Sequence, residues 1–332
     1  MRACRVLRLD DRRVRRWEER RRDGLPLDDE LGGGHPMHGL MPREIKAILE
    51  LFDKWGEIDR SHRKLAHRGS YERIVWVSPP TVRRVLARYG KVLPYRPAPS
   101  PSVKKPWPDW VEYRPNQVWG YDLTTFPAAS CQAIALLDLV SRKWLEKPIC
   151  TTEATSVQVQ VVFTRALEAE GLLDEALARL DGRALVDPAE VTEEQPILLA
   201  VSDNGAQMTS GSTREFVALH AIATHYGRPG TPTDQAPIES FFGHLKREFP
   251  QLLTITDPAA LAVELDALQR EYNTVRLHAA IGYVAPEDEH SGRGEQIRQA
   301  RRRGLARARR QRIKYHRQQK RNRHSDPPDD MA

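Results

Sequence analysis

Val201-Ser-Asp-Asn-Gly-Ala-Gln207, followed by Ala236-Pro-Ile-Glu-Ser-Phe-Phe-Gly-His-Leu-Lys-Arg-Glu-Phe249, is the stretch that decides the fold. Thirty-five residues separate Asp203 from Glu239. Asp203 sits where the apolar run Ile197–Val201 meets Asn204-Gly205, a turn signal. Glu239 opens a helix. Upstream, Asp122 lies inside the β-prone run Val118-Trp-Gly-Tyr-Asp-Leu-Thr-Thr-Phe126. Three carboxylates thus stand in three local contexts: a strand, a strand-to-turn junction and a helix start. Hard Mg²⁺ takes oxygen ligands and leaves positions for water and phosphate. Two such ions about 4 Å apart clamp the attacking and leaving oxygens of a phosphoryl transfer. A chain that performs this chemistry needs such a set.

The order and spacing of these pieces resemble the insertion-sequence transposases whose catalytic core is like retroviral integrase, the DDE group of the ribonuclease-H-like superfamily. The matching residues are Trp119-Gly-Tyr-Asp122-Leu-Thr, Ser202-Asp203-Asn204-Gly205 and Arg228-Pro-Gly-Thr-Pro-Thr-Asp234-Gln-Ala-Pro-Ile-Glu239, continuing to Lys246. Tyr272-Asn273-x-x-Arg276-x-His278 and Gly282-Tyr-x-x-Pro286 match further downstream. The resemblance is continuous over roughly 110–290. It implies an α/β fold, a ribonuclease-H-like mixed sheet flanked by helices. It also implies metal-dependent 3′-end cleavage and strand transfer on double-stranded DNA, both element ends and target, by a homo-oligomer assembled on DNA. Asp122, Asp203 and Glu239 would be the catalytic and metal-binding triad for two Mg²⁺ (or Mn²⁺) ions, with Asp122 and Asp203 sharing one ion and Glu239 holding the second with Asp122. Two departures stand out. The acidic segment 171–195 lengthens the interval between the two aspartates, and reads as a surface insertion. Gln235 stands where many relatives carry Asn.

The flanks carry the charge. The net charge is +7, with 52 Lys and Arg against 45 Asp and Glu, which favours a polyanionic partner. Residues 2–22 hold ten Arg, and 301–324 hold twelve Lys or Arg with no acid. The expected organisation is a basic helical segment and linker at 1–34, an all-α helix-turn-helix region at 35–93, a Pro-rich basic linker at 94–115, the catalytic core at 116–290 and a basic tail at 291–332. Within the helix-turn-helix, Ser78 is an N-cap candidate and Pro79 suits the first helical position. Val82, Val85 and Leu86 face inward, and Thr81, Arg83, Arg84 and Arg88 face outward, as candidates to contact DNA. Lys246 lies on the helical face of Glu239 with Gly243 between them, which suits it to hold a DNA phosphate. Residues 301–324 have few apolar anchors and cannot form a core alone, and either form a helix along DNA or stay disordered.

Cys4, Cys131 and Cys150 form no paired metal motif, and His35, His38, His62 and His67 have no cysteine partners, so no zinc site is expected. No apolar run of 18 residues is present, and a cytoplasmic, nucleoid-associated protein without membrane contact is expected. Two other readings compete. One is a non-catalytic DNA-binding protein derived from a transposase. The other is a ribonuclease-H-like nuclease without strand transfer.

Overall fold

The computed structural model describes residues 11–24, 36–91, 110–151, 153–184, 196–202, 210–226 and 236–325. The chain divides into two compact units, one spanning Pro42–Ala308 and the other combining Met1–Met41 with Arg309–Ala332.

The larger unit is built on a mixed sheet of six strands. Strand β1 (Val118–Phe126) pairs antiparallel with β2 (Cys131–Asp138), which carries β3 (Trp144–Glu146) and β4 (Ile149–Cys150) on its other edge. On its far side β1 pairs in parallel with β5 (Leu198–Ser202), and β5 in parallel with β6 (Ile222–Tyr226). A parallel neighbour demands a long crossover, because the chain must return to the same end of the sheet. Helices α5 (Ser156–Ala169) and α6 (Leu173–Ala184) lie in the crossover before β5, and α7 (Gly211–Leu219) in the one before β6. Three antiparallel strands followed by parallel ones is the ribonuclease-H-like arrangement expected from the sequence.

Alternation along β1 divides the core. Val118 and Phe126 join one apolar cluster with α8 (Ala236–Glu248) and α9 (Pro258–Thr274), while Trp119 and Tyr121 join a second with α5. The inward stripe of α9, Leu261, Leu265 and Leu268, is the one that its helical period dictates. Asp257 caps that helix, accepting from the N–H groups of Ala259 and Ala260 at 3.1 Å each.

Two segments differ from the sequence reading. The run Arg142–Cys150, expected as one strand, is two, because Pro148 offers no N–H to the ladder; its carbonyl instead accepts from Ile134 N–H at 3.1 Å. The segment 171–195, expected as a surface insertion, begins with α6, whose Ala176 is fully buried against the second cluster. Residues 185–195 lie outside the described residues.

Helices α2 (Pro42–Asp59), α3 (His62–Tyr71) and α4 (Pro79–Arg88) precede the sheet and belong to the same unit. Val82, Val85 and Leu86 are buried as expected, and Pro79 stands in the first turn behind Ser78. Arg68 of α3 is 2% exposed. Its guanidinium holds Asp59 at 3.0 and 3.3 Å, donates to the Val275 carbonyl at 2.7 Å, and lies 4.2 Å from the Trp55 ring. His67 stacks on Tyr283 at 4.2 Å between centroids. Pro286–His290 form α10, and Gly294–Ser325 form the long α11. Arg301 of α11 donates to Ser70 Oγ at 3.1 Å and to the carbonyls of Gly282 and Tyr283 at 2.8 Å each. The 301–324 stretch, for which helix and disorder were both open, is helical, within a helix that ends at Ser325.

In the smaller unit, α1 (Asp11–Arg22) ends on Arg20, Arg21 and Arg22, and His316 Nε2 lies 3.0 Å from the Gly39 carbonyl. No helix among the described residues is long and apolar enough to cross a membrane.

Candidate active site

Asp122 occupies the middle of β1, opposite Ala135 of β2. The β1–β2 register runs without a break from Trp119 to Phe126, so Asp122 shares the face of Val118, Thr124 and Phe126. This is the face covered by α8 through Ile238, Phe241, Phe242 and Leu245. Asp122 is half-buried, and its Oδ1 accepts from the Leu123 N–H at 2.8 Å.

The β1–β5 ladder ends at Gly120 opposite Val201, and β5 ends at Ser202. Asp203 is the next residue in the sequence and lies outside the described residues, as does Gln235. Glu239 lies in the first turn of α8, one residue after Ile238, which is buried against the sheet. Ser202, at the end of β5, and Asp122 therefore belong to neighbouring strands beneath the helix that carries Glu239. Among the described residues no group of three His, Cys, Asp or Glu could hold a metal ion. Asp122 supplies a hard oxygen donor suited to Mg²⁺ or Mn²⁺.

Lys246 stands two helical turns along α8 from Glu239. Its Nζ donates to Thr124 Oγ1 at 2.6 Å and to the Thr125 carbonyl at 2.8 Å, and lies 5.1 Å from the Phe126 ring centroid. Burial lowers its pKa, and the charge of Asp122 opposes that shift. The ammonium is thus held on β1 beside Asp122 instead of reaching into solvent. Gly243 has open space around it, so this side of α8 is accessible.

On α4, Arg83, Arg84 and Arg88 are exposed. Thr81 is half-buried, with its hydroxyl 2.9 Å from Ser78 Oγ and 3.3 Å from an Arg84 nitrogen. The four residues share one short helix. Thr81 is already engaged within it.

The downstream motif holds the sheet and α8 in place. Asn273 is buried; its Oδ1 accepts from Trp144 N–H and its Nδ2 donates to the Trp144 carbonyl, both at 2.9 Å. Arg276 grips Glu248 at the end of α8 with two nitrogens, one at 3.1 Å. Burial pushes the Tyr272 hydroxyl up to about 12.

Sequence reasoning missed a buried polar hub. Asp138 accepts from the N–H groups of Asn116, Val140 and Ser141, the last two at 2.8 and 2.6 Å. Ser141 Oγ lies 2.9 Å from His290 Nδ1, and His290 Nε2 lies 2.6 Å from Glu170 Oε2. The order serine, histidine, carboxylate suggests a nucleophile, but Ser141 is 0% exposed and no substrate reaches it. The hub is structural. No local pattern announces it, because its members come from positions 116 to 290.

Burial would raise the Glu170 carboxyl, but hydrogen bonds from His290 and Asn116 outweigh it and bring it down to about 2. An ordinary Glu protonates near 4.5. A depressed carboxylate stabilises the fold fully above its unfolded pKa and less as pH falls through the folded one. Acid unfolding of Glu170→Gln, followed by circular dichroism, should therefore be flatter between about 4.5 and about 2 than that of the wild type.

Residues 220–286 match the family described as Integrase core domain. The transposase for insertion sequence element IS904 of Lactococcus lactis subsp. lactis (strain IL1403) is 26% identical over 177 residues, covering 52% of this chain and 61% of that protein. The insertion element IS600 uncharacterized 31 kDa protein of Shigella sonnei is 25% identical over 173 residues, covering 52% and 56%. The chain thus spans roughly three fifths of the length of these curated relatives. The catalytic core domain of BIV integrase aligns at 18% identity over 55% of this chain and 97% of that one, with a TM-score of 0.34. The resemblance to insertion-sequence transposases with an integrase-like core, read from the sequence, is borne out.

Proposed function

We propose that this integrase-core chain is a DNA transposase that cuts the 3′ ends of an insertion element and joins them to target DNA. The observation that carries the reading is the placement of Asp122. It sits mid-strand under α8, the helix of Glu239, while the neighbouring parallel strand ends one residue before Asp203. Three hard oxygen donors in that order fit a pair of Mg²⁺ or Mn²⁺ ions, which would supply Lewis-acid stabilisation of charge on the phosphate.

The chain's own groups set up the reaction around that point. The β1 backbone fixes Asp122 through the Leu123 N–H. Lys246 keeps a cation beside Asp122, where a negatively charged backbone must pass. Arg276 anchors the far end of α8 and so holds Glu239's helix on the sheet. Water would hydrolyse a phosphodiester at the element end, breaking its P–O3′ bond to free a 3′ hydroxyl and leave a 5′ phosphate on the flanking strand; that hydroxyl would then attack a phosphodiester in another strand and displace its 3′ oxygen. Direct transesterification needs no nucleophilic side chain. The exposed arginines of α4 would read the element ends, and α11, with twelve basic residues in 301–324, would neutralise phosphates.

A joining assay on labelled duplexes tests the reading. Joined products should form in Mg²⁺ or Mn²⁺, vanish in EDTA and return when the cation is restored. Cleavage without joining would favour a nuclease. Joining that persists in EDTA would sink the metal assignment.

A further inference from the structure

In sequence, the helical module reaches the core through the Pro-rich stretch 94–115. A linker of that composition is a semi-rigid spacer, and alone it would leave the distance between module and core to its own length. The structure fastens the two a second way. Arg301, near the start of α11, has all three guanidinium nitrogens engaged. Nε donates to Ser70 Oγ of α3 at 3.1 Å, and Nη1 and Nη2 donate to the Gly282 and Tyr283 carbonyls at 2.8 Å each. A planar fork filled in this way fixes direction as well as distance. Tyr283 has a φ of +58°, a left-handed backbone that a bulky aromatic rarely adopts. Its N–H closes the turn on the His278 carbonyl at 2.7 Å. A strained residue persists only where its surroundings over-determine it, and such residues gather where they have a task. The task visible here belongs to the ring, which lies flat on His67 of α3, 4.2 Å between centroids and 15° between planes.

A run of fixed contacts then leads from α4 to α8. A Cβ on Gly69 of α3 would meet the Val75 side chain at 2.8 Å, so α3 and the turn into α4 pack without slack. Trp76 of the same turn leaves no room for a Cβ on Gly304 of α11. On the other side, the Val275 carbonyl accepts from Arg68 at 2.7 Å, and Arg276 next to it grips Glu248 at the end of α8. Successive phosphates of one DNA strand stand about 3.4 Å apart along the helix axis. Hydrogen bonds of 2.8 Å break before the parts they join have moved that far, so a joint closed by them can hold a cut to a single phosphodiester.

We propose that Arg301 and Tyr283 form a positioning joint that fixes how far α4 stands from α8, and so selects the one phosphodiester that is cut for a given sequence read. Neither side chain touches the reacting atoms. The choice of bond rests on the transposase reading; the rigid joint itself does not. The length of the Pro-rich stretch then has no say in where the cut falls.

The test compares wild type with Arg301→Gln, Tyr283→Gly and a protein carrying a short Gly-Ser insertion after Ser100. Glycine takes the left-handed backbone of position 283 without strain, so Tyr283→Gly removes the ring and keeps the turn even where Arg301→Gln fails to fold. Two quantities are read beside Tm. One is the cut position, at nucleotide resolution, on a labelled duplex taken from the DNA flanking the gene. The other is the distance distribution between spin labels at Lys46→Cys of α2 and Val263→Cys of α9, both exposed positions, in a Cys4→Ser background. Wild type and the insertion protein should each give one narrow distance and cut the same single phosphodiester. Arg301→Gln and Tyr283→Gly should broaden the distance and spread the cut to neighbouring phosphodiesters, with total cleavage falling less than the share at the original bond. A merely structural role lowers Tm and the amount cut without moving the cut. A folded Tyr283→Gly that behaves so overturns the proposal, as does an insertion that moves the cut or a wild type with a broad distance. A narrow distance in a wild type that cuts no duplex removes the transposase reading and the choice of bond with it, and leaves the joint standing.

Discussion

Asp122→Asn should reduce cleavage and joining by about three powers of ten, roughly 4 kcal/mol of transition-state stabilisation, while leaving duplex affinity within about a factor of two. The size follows from what the substitution changes. The amide oxygen can still accept from Leu123 N–H, so the β1–β2 register and the packing under α8 persist. The negative charge is lost, and with it the hard donor that a divalent cation needs. On the proposed reading, DNA affinity would rest on the arginines of α4 and the basic length of α11, which this change does not touch. Single-turnover cleavage on pre-bound duplex, beside a filter-binding isotherm, separates the two quantities. Wild-type rates in Asp122→Asn would remove Asp122 from the chemistry. A parallel loss of affinity would point to a failure of folding or of DNA contact.

The parts of this fold that were legible in the sequence are those written in local period. The β-prone run Val118–Phe126 names a strand and the three-four spacing of Leu261, Leu265 and Leu268 names a buried face, and the structure forms the one and buries the other. The same holds for Val82, Val85 and Leu86. What the sequence hid is what depends on distant partners. Arg68 looks like one more basic residue on a polar helix, yet it is buried because Asp59, Trp55 and the Val275 carbonyl surround it. Lys246 has the helical placement of a solvent-facing lysine, and only the proximity of α8 to β1 gives it Thr124 and Thr125. Asn273 belongs to a recognisable motif, but its task of closing the backbone of Trp144 requires α9 and β3 to meet. For the candidate site, the position of Asp122 could be read from the strand. That Asp122 lies beneath the helix of Glu239 could be seen only after folding.

Asp59→Ala should destabilise the larger unit by about 3–5 kcal/mol, the largest effect on stability expected of any single truncation in the helical module. Asp59 and Arg68 are each 2% exposed. Removing the carboxylate leaves the Arg68 guanidinium buried, with the Val275 carbonyl, the Trp55 ring and the partly exposed Glu72 carboxylate 3.8 Å away as its remaining partners. A desolvated cation cannot shed its proton as a lysine can, so the full cost of the uncompensated charge remains. Arg68→Met should be milder for the charge but should free the Val275 carbonyl, which lies one residue before Arg276. The clamp from Arg276 to Glu248 at the end of α8 would then loosen, and joining activity would fall along with stability. The double substitution Asp59→Leu with Arg68→Met removes both charges, and should recover part of the loss from Asp59→Ala, since an apolar pair of similar volume avoids desolvation. Urea unfolding of the four proteins gives each loss, and adding Asp59→Leu alone closes the cycle that yields the coupling energy. A loss below about 1 kcal/mol in Asp59→Ala would mean that the pair behaves as a surface bridge, and that the helical module is not fastened to the core through Arg68.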